Sequence, residues 1–287
     1  MKKIFILLIS LSISLSIQAE DGWPQPKNGG YFKIGQWWLV ADQHYTDLGL
    51  LDPNVTNGIY FTSLYAEYGL TEKLTGIVYF PFYARALFNN TVSGTTGEVI
   101  TPGEAINGVG DLDLSLKYNL LNQGSFALSG ILQLGIPLGN SAGGDAGALQ
   151  TGDGEFNQML QIEAGHGLQL GGLQGWTKAY AGFNNRTEGF SDEFRFGLEV
   201  GASLLDSKLL LIGRLYGIES FNNGTLPGDN ASGTSIFANN SEHLTIAPEI
   251  AYKFNEHFGV SAGIAQALSG RLIYANTAYN VGVFYQW

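Results

Sequence analysis

The 287-residue sequence contains no cysteine, which removes disulfides, thiol chemistry and cysteine-ligated zinc from consideration. Charge is scarce too: Asp, Glu, Lys and Arg make up 14% of the chain, where about a quarter is usual in a soluble domain. Cations are the scarcer sign, 14 against 25 acids, so no basic face is on offer for phosphates and no nucleic-acid partner is expected. Beyond the N-terminus, no apolar run could serve as a transmembrane helix, which needs roughly 20 residues. What the chain has in quantity is glycine (40), phenylalanine (17) and tyrosine (14). Few charges and many aromatics fit a strand-rich protein with one apolar surface.

The start reads as an export signal. Met1-Lys2-Lys3 is a short basic opening, followed by the apolar "IFILLISLSISLSI" and the small-residue "QAE". The pattern predicts a leader over residues 1–19, cleaved after Ala19, and one mature domain over 20–287. Loss of Lys2 and Lys3 takes 14 cations to 12 against 25 acids, a net charge of about −13. The mature chain is then either soluble after export or a β-barrel.

Period-two alternation recurs along the mature chain, and no segment reads as a helix. Strands are expected near 31–45, 58–70, 74–88, 109–121, 125–138, 156–168, 175–185, 193–205, 208–220, 244–254, 257–268 and 277–287. In "GVGDLDLSLKYNLL" (108–121), Asp111, Asp113, Ser115, Lys117 and Asn119 share one face and leucines share the other. "EFRFGLEVGASLLD" sets Phe194, Phe196, Leu198 and Val200 against Glu193, Arg195 and Glu199.

Connections alternate in length. "TEK" (71–73), "NQG" (122–124), "DSK" (206–208) and "NE" (255–256) are short, whereas 89–108, 139–155 and 221–243 are long and polar. An even strand count with short turns at one end and long loops at the other predicts an all-β fold: a transmembrane antiparallel up-and-down barrel of about twelve strands, of the bacterial outer-membrane type. Twelve strands enclose a lumen too wide for side chains alone to fill, so an apolar lining would demand an apolar filling. The leucines are therefore expected to face lipid and the charges the lumen. Tyr68, Tyr118, Phe126, Trp176, Tyr252, Phe254, Phe258 and Trp287 fall near the short turns, as a periplasmic aromatic girdle would. A last strand ending on Trp287 resembles the signal read by the barrel-assembly machinery. Membrane lipid and lipopolysaccharide are the other expected partners.

"GVGDLDLSLKYNLL", "LQLGIPLGN" (132–140) and "TGDGEFNQMLQIEAGHGL" (151–168) resemble the outer-membrane transporters grouped as the meta-pathway phenol-degradation family. The resemblance covers the middle third of the chain. It implies uptake of aromatic or other small compounds and supplies no catalytic residue.

Apparent catalytic motifs do not hold together. "GNSAG" (139–143) satisfies G-x-S-x-G, but Ser141 lies in a Gly-rich loop with no helix after it. His44, His166, His243 and His257 lack metal-ligand spacing, and "TGDGE" lacks the order of an EF-hand loop. No cofactor or metal site is expected. What remains is the lumen face, with Arg85, Asp111, Asp113, Lys117, Glu163, Lys178, Arg195, Glu199, Arg214 and Glu249 as pore-lining candidates, beside Glu67, Glu193 and Lys253. These charges either border a hydrated conduction path or form a ladder of ion pairs that stiffens the barrel. The eleven residues "EDGWPQPKNGG" are too short for a plug domain. A diffusion channel for small solutes is the leading reading. A barrel phospholipase or protease, which needs a Ser–His or Asp–His group near one rim, and a structural or adhesive barrel are the alternatives.

Overall fold

Twelve long strands carry the chain in the computed structural model, which describes residues 23–145, 147–226 and 234–287. They are β1 (Gly30–Tyr45), β2 (Leu51–Gly69), β3 (Leu74–Phe88), β4 (Leu112–Gln123), β5 (Phe126–Ile136) and β6 (Asn157–Leu170). The second half holds β7 (Leu173–Arg186), β8 (Glu193–Leu204), β9 (Leu209–Ser220), β10 (Glu242–Lys253), β11 (Phe258–Arg271) and β12 (Ala278–Gln286). Each pairs antiparallel with its neighbours in sequence, and β1 pairs with both β2 and β12. The ladder therefore closes on itself, leaving no unpaired edge. The expected leader and its cleavage point lie outside the described residues.

Turns at 70–73, 124–125, 171–172, 205–208 and 254–257 gather at the end that also holds Gly30 and Trp287. Loops 46–50, 89–111, 187–192 and 272–277 gather at the other, as do the described parts of 137–156 and 221–241. The first hairpin is longer than expected, because Gln43–Tyr45 keep pairing with Leu51–Pro53 and leave only a tight turn. Gly49 supplies the positive φ of 74° that this turn requires. The polar stretch "DPNVTNG" reads as loop in sequence, yet cross-strand hydrogen bonds extend the strand through it.

Leucines face outward. Leu116 and Leu120 are 48% and 54% exposed, while Lys117 and Asn119 between them are 5% and 4% exposed. Polar side chains bonding one another across the lumen satisfy their hydrogen bonds, and hydrocarbon outside takes the leucines at no cost. Tyr68, Tyr118, Tyr252, Phe254, Phe258 and Trp287 are exposed around the short-turn rim. Trp176 departs from this girdle. It points inward and is 6% exposed, and its indole Nε1 donates to Glu199 Oε1 at 2.7 Å. Its parity along β7 is that of Lys178 and Tyr180, so proximity to a turn was the wrong guide.

Candidate transport lumen

Among the described residues, three groups of ion pairs organise the interior. One is a belt in which Lys33 of β1 meets Glu249 of β10 at 2.9 Å and Arg214 of β9 bridges Glu249 (2.6 Å) and Glu199 (2.7 Å). Lys178 of β7 completes the belt at 3.6 Å from Glu199. Lys117 and Glu163 pair at 2.6 Å, across β5, on the β4–β6 wall. Near the long-loop end, Arg186 binds Glu155 (2.5 Å) and Glu193 (2.6 Å) with Phe190 under its guanidinium, and Arg195 binds Glu193 at 2.7 Å. Charges of opposite sign alternate around the wall, so burial of each is compensated by a partner.

Small residues make room for this layer. A Cβ at Gly282 would lie 2.7 Å from Lys33 Cε, and one at Gly201 or Gly197 would strike the ring of Trp176 or Tyr180. The two rings lie against the wall over the glycines that face them on the next strand. Below the long-loop end, a cavity of about 510 Å³ lies between the belt and the wall. Trp37, Phe61, Tyr65, Tyr79 and Tyr216 line it beside Lys33 and Glu249. None of these aromatics stood out in sequence, because ring residues alternate on both faces of a barrel strand.

Of the ten sequence candidates, Asp113, Lys117, Glu163, Lys178, Arg195, Glu199, Arg214 and Glu249 share the inward face, and Gln133 bonds the Asp113 carboxylate. Two do not. Arg85 faces outward, where its Nη1 donates to Asn107 Oδ1 at 2.9 Å beside the Tyr83 hydroxyl. The cause is a bulge: Thr62 pairs with Tyr83 but Leu64 with Phe80, and the phase of β3 flips there. Ala84 and Ala86 consequently take the inward positions and Arg85 the outward one. Asp111 precedes β4 and belongs to the loop layer. Its carboxylate accepts the backbone N–H of Gly139 (2.8 Å) and of Asp153 (2.9 Å), tying down loop 137–156. Burial, with the Asp153 carboxylate adding to it, pushes Asp111 up to about 6 against the two N–H donors. Glu155 is likewise raised by burial, against the pull of Arg186.

The N-terminal segment, too short to be a domain, still enters the barrel. Gln25 is buried; its N–H donates to Thr75 Oγ1 and its side chain to Glu67 Oε2, both at 2.9 Å. Tyr65 bonds the same carboxylate. A Cβ at Gly69 would sit 1.9 Å from Pro26 O, so the strand admits this strap only with glycine there. Trp23 reaches the β6 wall near Gly167, so the strap spans the short-turn mouth from β2 to β6.

Among the described residues, no cluster of three or more His, Asp or Glu could hold a metal. A Ser–His contact does occur: Ser125 Oγ lies 3.2 Å from His166 Nε2 on the outer wall. No carboxylate bonds the His166 ring among the described residues, so the pair lacks the orienting group that nucleophile activation calls for.

No family model matches the sequence, and neither does any curated protein. Solved structures do match in shape. An outer-membrane channel from Pseudomonas putida F1 aligns with a TM-score of 0.61 at 18% identity, over 95% of this chain and 100% of that one. The fold is that of an outer-membrane β-barrel. The β domain of the Bordetella autotransporter BrkA aligns at 0.52 and 13% identity, over 91% of this chain and 100% of that one. Barrels with different tasks thus share this architecture, and function has to be argued from the lumen.

Proposed function

We propose that this chain is an outer-membrane channel that passes small solutes, aromatic compounds among them, by diffusion. The observation that carries the reading is the lumen cavity of about 510 Å³, walled by aromatic rings over a belt of paired charges. Rings offer a solute apolar contact, and the charges keep the path beneath them wet. The channel from P. putida has the same barrel shape, and the motifs in residues 108–168 resemble a family of aromatic-compound transporters. Residence in the outer membrane, contact with lipopolysaccharide and delivery through the assembly machinery by the strand ending at Trp287 belong to the same proposal. In planar bilayers the full-length mature chain should give discrete conductance steps that are interrupted when a small aromatic acid is added. Neutralising Arg195 and Arg214 together should shift the reversal potential toward cation preference. Absence of any conductance, with loop 221–241 intact or deleted, would sink the proposal.

A further inference from the structure

The last part of the β9–β10 connection turns into the barrel instead of running over it. Ala238 and Asn239 are 1% and 0% exposed, and Ser235 and Ser241 are buried on either side. Asn239 is a two-way clamp: its Oδ1 accepts the Ser191 N–H at 2.9 Å, and its Nδ2 donates to Leu226 O at 3.0 Å. Asn240 follows with φ of 56°, its carbonyl accepting from Arg271 Nε at 3.2 Å and its side chain from the Ser220 hydroxyl at 3.0 Å. The segment is therefore bonded to β9, β11 and loop 187–192, a fixed part of the barrel.

Held this way, Ile236 and Phe237 reach the wall formed by β1, β2 and β3. The Phe237 ring meets Phe61 edge-on, with centroids 6.4 Å apart. Both residues pack on a cluster made by Leu39, Ala41, Ile59, Phe61, Ala84 and Tyr274. This cluster occupies inward positions, and Ile236 and Phe237 make it an apolar contact from wall to loop. Ile236 also lines the aromatic cavity, so this apolar patch lies between the long-loop mouth and the belt of charges. A hydrated ion entering an apolar constriction sheds water and gains no replacement ligand, whereas an apolar ring loses nothing.

We propose that Phe237, seated on Phe61, is a specificity-determining residue: an apolar collar that holds back hydrated ions and admits apolar or aromatic surfaces to the cavity beneath. The inference rests on the channel reading, in which that cavity lies on the solute path. Selection by polarity then happens at the collar, before a solute meets the charged belt.

The absence of cysteine from the chain provides the test. Ser63 lines the cavity one inward position deeper than Phe61, where it bonds Tyr79. With Ser63→Cys introduced, intact cells are pulsed with a permanently charged methanethiosulfonate or with a neutral aryl one. The charged reagent should label the otherwise native collar slowly and the Phe237→Ala collar at least about tenfold faster, while the neutral reagent labels both at similar rates. Phe237→Leu, which keeps the ring position apolar, should stay slow toward the charged reagent. Equal charged-reagent rates with and without the ring, fast or slow, would overturn the collar. Heat-modifiable gel migration verifies that each variant is folded. Labelling reads access without requiring current, so a barrel that conducts nothing would defeat the channel reading and leave the collar separately decided.

Discussion

Leu198 and Glu199 are adjacent in sequence and stand on opposite sides of the barrel wall. Leu198 is 58% exposed to the surroundings, while Glu199 holds Arg214, Lys178 and the Trp176 indole inside. Arginine on a lipid-facing position at mid-membrane costs about 2–4 kcal/mol, falling to about 0–1 kcal/mol near the interface. Leu198→Arg should therefore lower unfolding stability in lipid vesicles by the larger amount. Leu205→Arg, in the turn after β8, should cost little. Equal losses at the two sites would place the membrane wrongly along the barrel. The alternation that separates Leu198 from Glu199 is visible in sequence, because a strand has no other way to sort its side chains. Arg85 shows where that rule stops: one bulge between β2 and β3 reverses parity, and its one mark in "YFPFYARALF" is Pro81, which lies within the bulge because a residue without an N–H is tolerated inside a sheet there.

At the scale of a strand pair, β7 and β8 fit together through a ring and a gap. Trp176 pairs across from Gly201, and a Cβ there would come within 2.0 Å of the indole. Gly201→Ala should push the ring off the wall and weaken its bond to Glu199, an overpacking cost of about 1–3 kcal/mol. In a Trp176→Ala background the same change should cost less than about 0.5 kcal/mol, because the two positions are coupled only through the ring. Urea unfolding of the four proteins in vesicles, followed by circular dichroism, measures the difference; additive losses would show that the glycine serves another purpose. The existence of β7 and β8 was legible from alternation. Their register, which sets Gly201 against Trp176, came from the hydrogen-bonded ladder.

At the scale of the whole molecule, the long-loop end is held by carboxylates that fold into it. Asp111 anchors loop 137–156 through Gly139 and Asp153, and its folded value of about 6 lies above the ordinary 3.8. A raised value means that the docked loop disfavours the ionised form. The penalty is present in full above about pH 6 and is relieved as pH falls toward 3.8. Glu155, also raised, adds in the same direction. Asp111 should thus contribute a gain in the thermal stability of the wild-type protein in detergent between pH 7.5 and pH 5, conditions chosen to straddle the value near 6. Comparison with a variant at this position separates that gain from groups that titrate in the opposite sense. Asp111→Asn, which cannot titrate, should lose part of that gain. An identical pH response in both proteins would remove Asp111 as a source of it.

The sequence by itself determined the class of fold, a count of about twelve strands and, Arg85 and Asp111 apart, the sides on which leucine and charge fall. Those follow from period-two alternation and from the scarcity of charge, which are properties of short stretches. Only the tertiary structure decided which charges meet: Lys33 and Glu249 are 216 residues apart and become partners because β1 closes the ring beside β12. The strap through Gln25, the inward turn at Asn239 and the seat of Phe237 on Phe61 were equally out of reach. Each depends on contacts between segments with no periodic pattern, whose geometry exists only once the barrel has closed around them.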